Sequence, residues 1–319
     1  MKKRLLGLFL ILIGGLFSLS SCGNNKKTDI VSTCYAGYDL AKSVAKDKMT
    51  SSMLLNPGEE LHDYSPSVSD IERIINSKLF IYIGGESDEV WVEKQILPEI
   101  DESKTKVINM MDVVKNGGNT YNEEEPEAAE SSEEDEEEAE LDEHVWNSII
   151  NQKLIINEIC NVLISIDKEN ENSYISNKNE YIKQIDEIDL SIKDIVSNSS
   201  KKILVFADRF PLLYFVKEYN LAYDAAFKGC ESAKEANPKT IEALTNKVKN
   251  NNLNVIFVIE LSESNIADTI VNNCKKDGHD VKKMVFYTMH NVSKEDYNKG
   301  LTIIDFMKIN IESLKEALK

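Results

Sequence analysis

SYISNKNEYIKQIDEIDLSIKDIV, residues 173–196, runs for 24 residues without a proline or a glycine, and Tyr181, Ile185, Ile188, Ile192 and Ile195 recur along it at spacings of four and three. That spacing draws a single apolar stripe down a helix. At 1.5 Å per residue the stretch makes a rod of roughly 35 Å, comparable to the diameter of a lobe of ordinary size. A helix that lacks proline, glycine or a bulge resists bending. One rigid helix over 173–197 is therefore expected to connect two halves of the chain.

Both halves alternate strand with helix. Short apolar runs predict strands at Asp29–Thr33, Ser52–Leu55, Leu79–Ile83 and Lys106–Asn109 before the connector, and at Lys202–Ala207, Val255–Glu260 and Lys283–Thr288 after it. Nearly continuous apolar character in so short a run marks strands covered on both faces, hence parallel sheets. Helical periodicity separates them, as in Ile155, Ile159, Val162 and Ile166, or Met307, Ile311, Leu314 and Leu318. The expected fold class is α/β, with two lobes (29–172 and 198–319) of parallel sheet flanked by helices and joined by the one long helix.

The first residues say where such a protein works. Lys2, Lys3 and Arg4 precede an apolar stretch from Leu5 to Leu19, followed by Leu19-Ser20-Ser21-Cys22. Fifteen apolar residues fall short of the ~20 of a spanning helix, and the order of positive, apolar and small residues is that of a secretory signal. It resembles the lipobox of bacterial lipoproteins. That resemblance implies a signal peptide over 1–22, lipidation of Cys22, a tether over 23–28, and an extracytoplasmic protein anchored to the membrane through its lipid. No other apolar run approaches membrane-spanning length on this reading. Cys34, Cys160, Cys230 and Cys274 are too scattered for a disulfide framework and contain no C-x-x-C pair; buried thiols or a bridge both remain open.

Of the net charge of −18, the stretch from Tyr121 to Glu143 supplies fourteen carboxylates and no basic residue, leaving −4 for the rest. So dense a run, holding Pro126 and few large apolar side chains, predicts a disordered acidic loop within 117–143. It serves either as a solubilising insert or as a low-specificity collector of cations. No basic stripe exists to neutralise phosphates, which excludes nucleic acid as a partner.

The chain has only four histidines, and His62 and His144 bracket that run. Sparing use of imidazole at two turn-like junctions points to a borderline transition metal. Asn56-Pro57-Gly58-Glu59-Glu60-Leu61-His62-Asp63-Tyr64-Ser65-Pro66-Ser67, Leu79-Phe80-Ile81-Tyr82-Ile83-Gly84-Gly85-Glu86, Asp142-Glu143-His144-Val145-Trp146 and the closing helix from Leu301 to Leu318, in this order behind a lipobox, resemble the solute-binding lipoproteins of zinc and manganese ABC importers. The resemblance covers nearly all of the mature chain. It implies metal capture in the cleft between lobes, two ligands from each, and delivery to the permease of an ABC importer by a monomer. His62 and His144 match the two N-lobe histidines of that family. Where many members carry a third histidine, Arg209 stands, and a permanently protonated guanidinium cannot ligate; Asp208 beside it can, although it could equally cap a helix or pair with Arg209. His290 stands where the family usually has an acid. The expected metal set is thus His62, His144, Asp208 and His290, with Glu60, Glu231 and Glu260 as other acids able to complete it. His279, in a polar turn, is expected to be an exposed loop histidine.

Three imidazoles and one carboxylate suit tetrahedral zinc, whereas two histidines with two carboxylates would favour manganese, which keeps manganese as the alternative. An adhesin built on the same lobes and a metallohydrolase are the readings from other classes. Against catalysis, the chain has no H-E-x-x-H, H-x-H or G-x-S-x-G. Only neutral imidazole binds metal, so zinc affinity is expected to fall as pH drops through about 6.5. Calorimetric titration of the apo protein at pH 6 and pH 7.5 checks it; equal affinities would contradict it.

Overall fold

Four short strands open the chain: β1 (Ile30–Ser32), β2 (Ser51–Met53), β3 (Leu79–Tyr82) and β4 (Lys106–Asn109). They pair in parallel, in the order β2-β1-β3-β4. Every residue of β1 and β3 is buried, which is why they read as unbroken apolar runs rather than as alternations. Around this sheet lie α1 (Tyr35–Ala45), α2 (Val68–Ile75), a short α3 (Glu86–Asp88) that runs on into a π-helical turn at Glu89–Ile96, α4 (Met110–Lys115) and α5 (Ile149–Ile166). A capping box at Ser67 and Asp70 starts α2, and the Ser148 side chain caps α5. The computed structural model describes residues 28–59, 64–129, 140–229 and 237–319. Cys22, Glu60, His62, Cys230 and Glu231 lie outside the described residues.

The connector is α6 (Glu171–Asn198), 28 residues long. Its buried side chains, Tyr174, Tyr181, Ile185, Ile188, Ile192 and Val196, repeat at helical spacing along one face. The second sheet follows: β5 (Ile203–Phe210), α7 (Leu213–Tyr219), β6 (Ala222–Lys228), α8 (Pro238–Asn250), β7 (Val255–Ile259), α9 (Ile266–Lys276), β8 (Lys282–Phe286), α10 (Lys294–Lys299) and α11 (Ile303–Ala317), with strand order β6-β5-β7-β8, again parallel. The α/β fold with two parallel sheets and one long joining helix is thus the one expected. Sequence patterning missed β6. Its Ala, Asp and Lys residues have poor strand propensity, and it forms on the edge of the sheet because β5 supplies its whole ladder.

In both sheets the strand order reverses at the centre, between β1 and β3 and between β5 and β7. Crevices at the carboxyl ends of such strands are where parallel α/β sheets bind ligands. The segments that follow β2, β7 and β8 line one cavity where the two lobes face each other.

The lobes share one apolar core. A single cluster of buried residues runs from Ile30 and Leu79 through Ile185 and Ile192 to Phe257, Phe286 and Leu314. Hydrogen bonds cross as well: the Tyr35 hydroxyl donates to the Leu301 carbonyl at 2.7 Å, and Asp39 Oδ2 accepts the Ile303 N–H at 3.0 Å. Helix α5, 18 residues long, is apolar enough by length and composition to cross a membrane, contrary to the expectation that no second run would be. Here it is a core helix packed against α1, α4 and α6. Cys34, Cys160 and Cys274 are free and buried, and burial pushes the Cys34 thiol up to about 12.

The acidic stretch, expected to be disordered over 117–143, is folded over its described ends. Residues 121–123 pair with 140–142 through the Glu123 N–H on the Glu140 carbonyl and the Asp142 N–H on the Tyr121 carbonyl. Beyond that, the chain crosses to the C-terminal lobe. Glu124 meets Lys217 at 2.6 Å, Glu123 and Glu125 flank Lys228, Glu127 pairs with Lys247, and the Ala128 N–H donates to buried Asp224. The lysines of β6, α7 and α8 supply the counter-charge that composition alone could not place opposite these glutamates.

Asp39 is almost wholly buried, and desolvation raises its pKa from 3.8 to about 6, opposed by the Ile303 N–H. A carboxyl whose folded value is raised holds its proton more tightly in the native state. Its contribution to folding is fully present below 3.8 and is lost as pH rises through 6, at most about 3 kcal/mol. Asp39→Asn keeps an acceptor for Ile303 and removes the charge. It is expected to be at least as stable as wild type at pH 7.5, with a flatter change between pH 4 and 6.5, measured by urea unfolding.

Candidate metal site

His144 sits just past the acidic stretch, immediately before a 3₁₀ turn at Val145–Asn147. Two glycines follow β3: Gly84 lies against Asn109, and Gly85 makes room for this segment. Gly84 has φ +89°, and a Cβ on Gly85 would come within 2.3 Å of the Glu143 carboxylate. His144 is fully buried. Its Nδ1 lies 2.9 Å from Asp142 Oδ1, and the same oxygen accepts the His144 backbone N–H at 2.8 Å. A carboxylate only accepts, so Nδ1 carries the proton and the lone pair falls to Nε2. Asp142 is thereby the orienting partner typical of metal-binding imidazoles. The Tyr214 hydroxyl, from α7 of the other lobe, donates to the Asp142 carbonyl at 2.8 Å.

His290 comes from the loop after β8. Met289 before it takes φ 57°, a left-handed conformation that a residue with a side chain adopts only when its surroundings hold it there. That turn brings the His290 ring to 5.5 Å from the His144 ring, centroid to centroid, although the two histidines lie 146 positions apart in the chain. Trp146 packs against both. Its ring is parallel to that of His290 at 6.0 Å and edge-on to His144 at 5.3 Å.

A cavity of about 310 Å³ opens beside His290, walled by Gly58 and Glu59 from the first lobe and by Arg209, Glu260, Ser262 and Thr288 from the second. His62 itself is outside the described residues, but it follows Glu59 by three positions. Asn291 Nδ2 donates to the Glu59 carbonyl, so Glu59 is held against the loop carrying His290.

Asp208 lies in β5, buried. Its Oδ1 accepts the Arg209 N–H at 2.9 Å, and its Oδ2 has no hydrogen-bond partner. Burial raises its pKa, opposed by the neighbouring Ser262 and by Arg209. Among the described residues no three His, Cys, Asp or Glu side chains gather as a metal cluster. Glu260 lines the cavity with His290, but both of its oxygens are engaged by Thr288. Its pKa is raised by complete burial, with the Thr288 hydrogen bonds opposing. His279, expected to be exposed, is half-buried and its Nε2 lies 2.5 Å from the Leu253 carbonyl. The roles of Asp142, Trp146 and Thr288 were missed from sequence. Asp142 alone left a signal, an acid two residues before a histidine.

Comparison with known proteins matches the family that the sequence resembles. Residues 30–317 match the family described as ZnuA, zinc-uptake complex component A, periplasmic. The chain belongs to the ZnuA family. The high-affinity zinc uptake system protein ZnuA of Bacillus subtilis is 31% identical over 333 residues, covering 100% of this chain and 99% of that relative. The crystal structure of the metal-dependent lipoprotein YcdH from Bacillus subtilis superposes with a TM-score of 0.71 at 26% identity, over 91% of this chain and 98% of that one. The Zn(II)-bound ZnuA-like domain of Streptococcus pneumoniae AdcA gives 0.70 at 25% identity, over 92% and 99%. These ZnuA-family relatives are named for zinc uptake and metal dependence rather than for catalysis, and the metallohydrolase reading falls away.

Removing the Asp142 carboxylate frees the His144 ring to rotate and to change tautomer. Asp142→Ala is expected to weaken zinc binding by about 10- to 100-fold, and Asp142→Asn, which keeps an acceptor oxygen, by less. Competition against a chromophoric chelator measures both.

Proposed function

We propose that this ZnuA-family chain is an extracytoplasmic solute-binding lipoprotein that captures zinc in the cleft between its lobes and delivers it to the permease of an ABC importer. In this reading it is a monomer anchored through lipid on Cys22. The observation that carries it is the meeting of His144 and His290 across the lobes, 5.5 Å apart, with the His144 lone pair set on Nε2 by Asp142. Zinc is the cargo. His62, His144 and His290 supply three imidazoles, and Asp208, whose Oδ2 is buried without a hydrogen-bond partner, supplies the carboxylate. Three nitrogens and one oxygen match the tetrahedral preference of zinc.

Release follows from the same geometry. The lobes share a core and an unbroken helix, so opening is confined to small movements of the cleft loops rather than a wide hinge. The neutral imidazoles lose the metal when protonated or when the loops part.

Alanine at His144 or His290 is expected to reduce zinc affinity by more than the roughly 100-fold upper end of an outer-shell loss, read by calorimetry with metal analysis of protein purified without chelator. Full stoichiometric affinity in His290→Ala would instead indicate a site of two histidines and two carboxylates, suited to manganese.

A further inference from the structure

Thr288 makes four hydrogen bonds at the junction of the lobes. Its N–H donates to Glu260 Oε2 at 2.8 Å and its hydroxyl donates to Glu260 Oε1 at 2.7 Å. The hydroxyl oxygen accepts the His290 N–H at 3.4 Å, and the Thr288 carbonyl accepts the indole N–H of Trp146 at 3.0 Å. Thr288 and Trp146 are fully buried and Glu260 nearly so. Trp146 is fixed from the other side: its carbonyl accepts Gln152 Nε2 at 2.7 Å, and Gln152 Oε1 accepts the Tyr181 hydroxyl of α6 at 3.1 Å. A buried chain of donors and acceptors thus runs from the connecting helix through the first lobe to the residue two places before His290.

We propose that Thr288, locked by Glu260 within its own lobe and by Trp146 across the cleft, is a positioning residue that holds His290 opposite His144 before metal arrives, and that Glu260 serves this lock rather than the metal. The inference rests on the zinc-capture reading above. Its physical basis is preorganisation. Met289, between Thr288 and His290, is left-handed, so fixing Thr288 fixes the turn that carries His290, and a ligand held in place in advance costs no ordering when the ion binds.

Thr288→Val deletes the hydroxyl and keeps the shape. It is expected to weaken zinc about 10- to 100-fold and to shift the visible absorption of the cobalt-substituted protein. Thr288→Ser restores the hydroxyl and should restore both. Trp146→Phe keeps the ring against His290 but loses the indole N–H, for a fall of about 3- to 10-fold, and Glu260→Gln should retain one zinc per chain. Circular dichroism accompanies each measurement. Thr288→Val binding zinc as wild type does, Thr288→Ser no better than Thr288→Val, or Glu260→Gln losing the bound zinc with Thr288→Val silent would each overturn the proposal. Wild-type protein that binds no zinc would overturn the capture reading itself, and the proposal with it.

Discussion

The constraint on which the rest depends is that α6 cannot bend. Its buried face, Tyr174 through Val196, belongs to the same apolar cluster as the strands of both sheets. Moving one lobe away from the other would expose that face to water, at about 25 cal/mol for each Å² uncovered. The cleft is therefore a groove of nearly fixed width. Side chains that reach into it must be placed by local turns and hydrogen bonds, which is why a left-handed Met289 precedes His290, while Gly85 against Glu143 and the Asp142 carboxylate lie beside His144.

Such a scaffold suits an ion better than a large ligand. A cation of small radius asks for a handful of donors within tenths of an ångström, not for a closing domain. Trp146 contributes on three counts: a flat apolar wall against both imidazoles, an N–H for the opposite lobe, and a carbonyl tied back toward α6. Low dielectric around the rings also strengthens the Asp142–His144 interaction that sets the tautomer.

Much of this could be read from the chain alone, and the reasons differ by element. Strands β1, β3, β5 and β7 announced themselves because burial on both faces demands continuous apolar residues, and α6 did so through its stripe. Strand β6 stayed hidden because Ala222, Asp224 and Lys228 give no strand signal; its partner β5 decides its conformation. His144 was legible as a scarce imidazole in a turn context, and His290 through its place in the family resemblance. Thr288 was not, and Glu260 could be read only as a reserve metal ligand, since a hydrogen bond across 28 positions leaves no periodicity. The acidic stretch misled for a different reason: composition reports charge density but not the lysines that β6, α7 and α8 set against it.

That docked stretch restricts how the chain can vary. Ala128 joins the buried cluster formed by Ala226, Leu244 and Val248 while its N–H is held by Asp224. Sliding the segment by a single residue would present either Glu127, a charge with no place among apolar side chains, or Ala129, with every glutamate before it displaced from its lysine. Insertions and deletions between Tyr121 and Ala128 are thus disfavoured, and this part of the run keeps a fixed register across the two lobes.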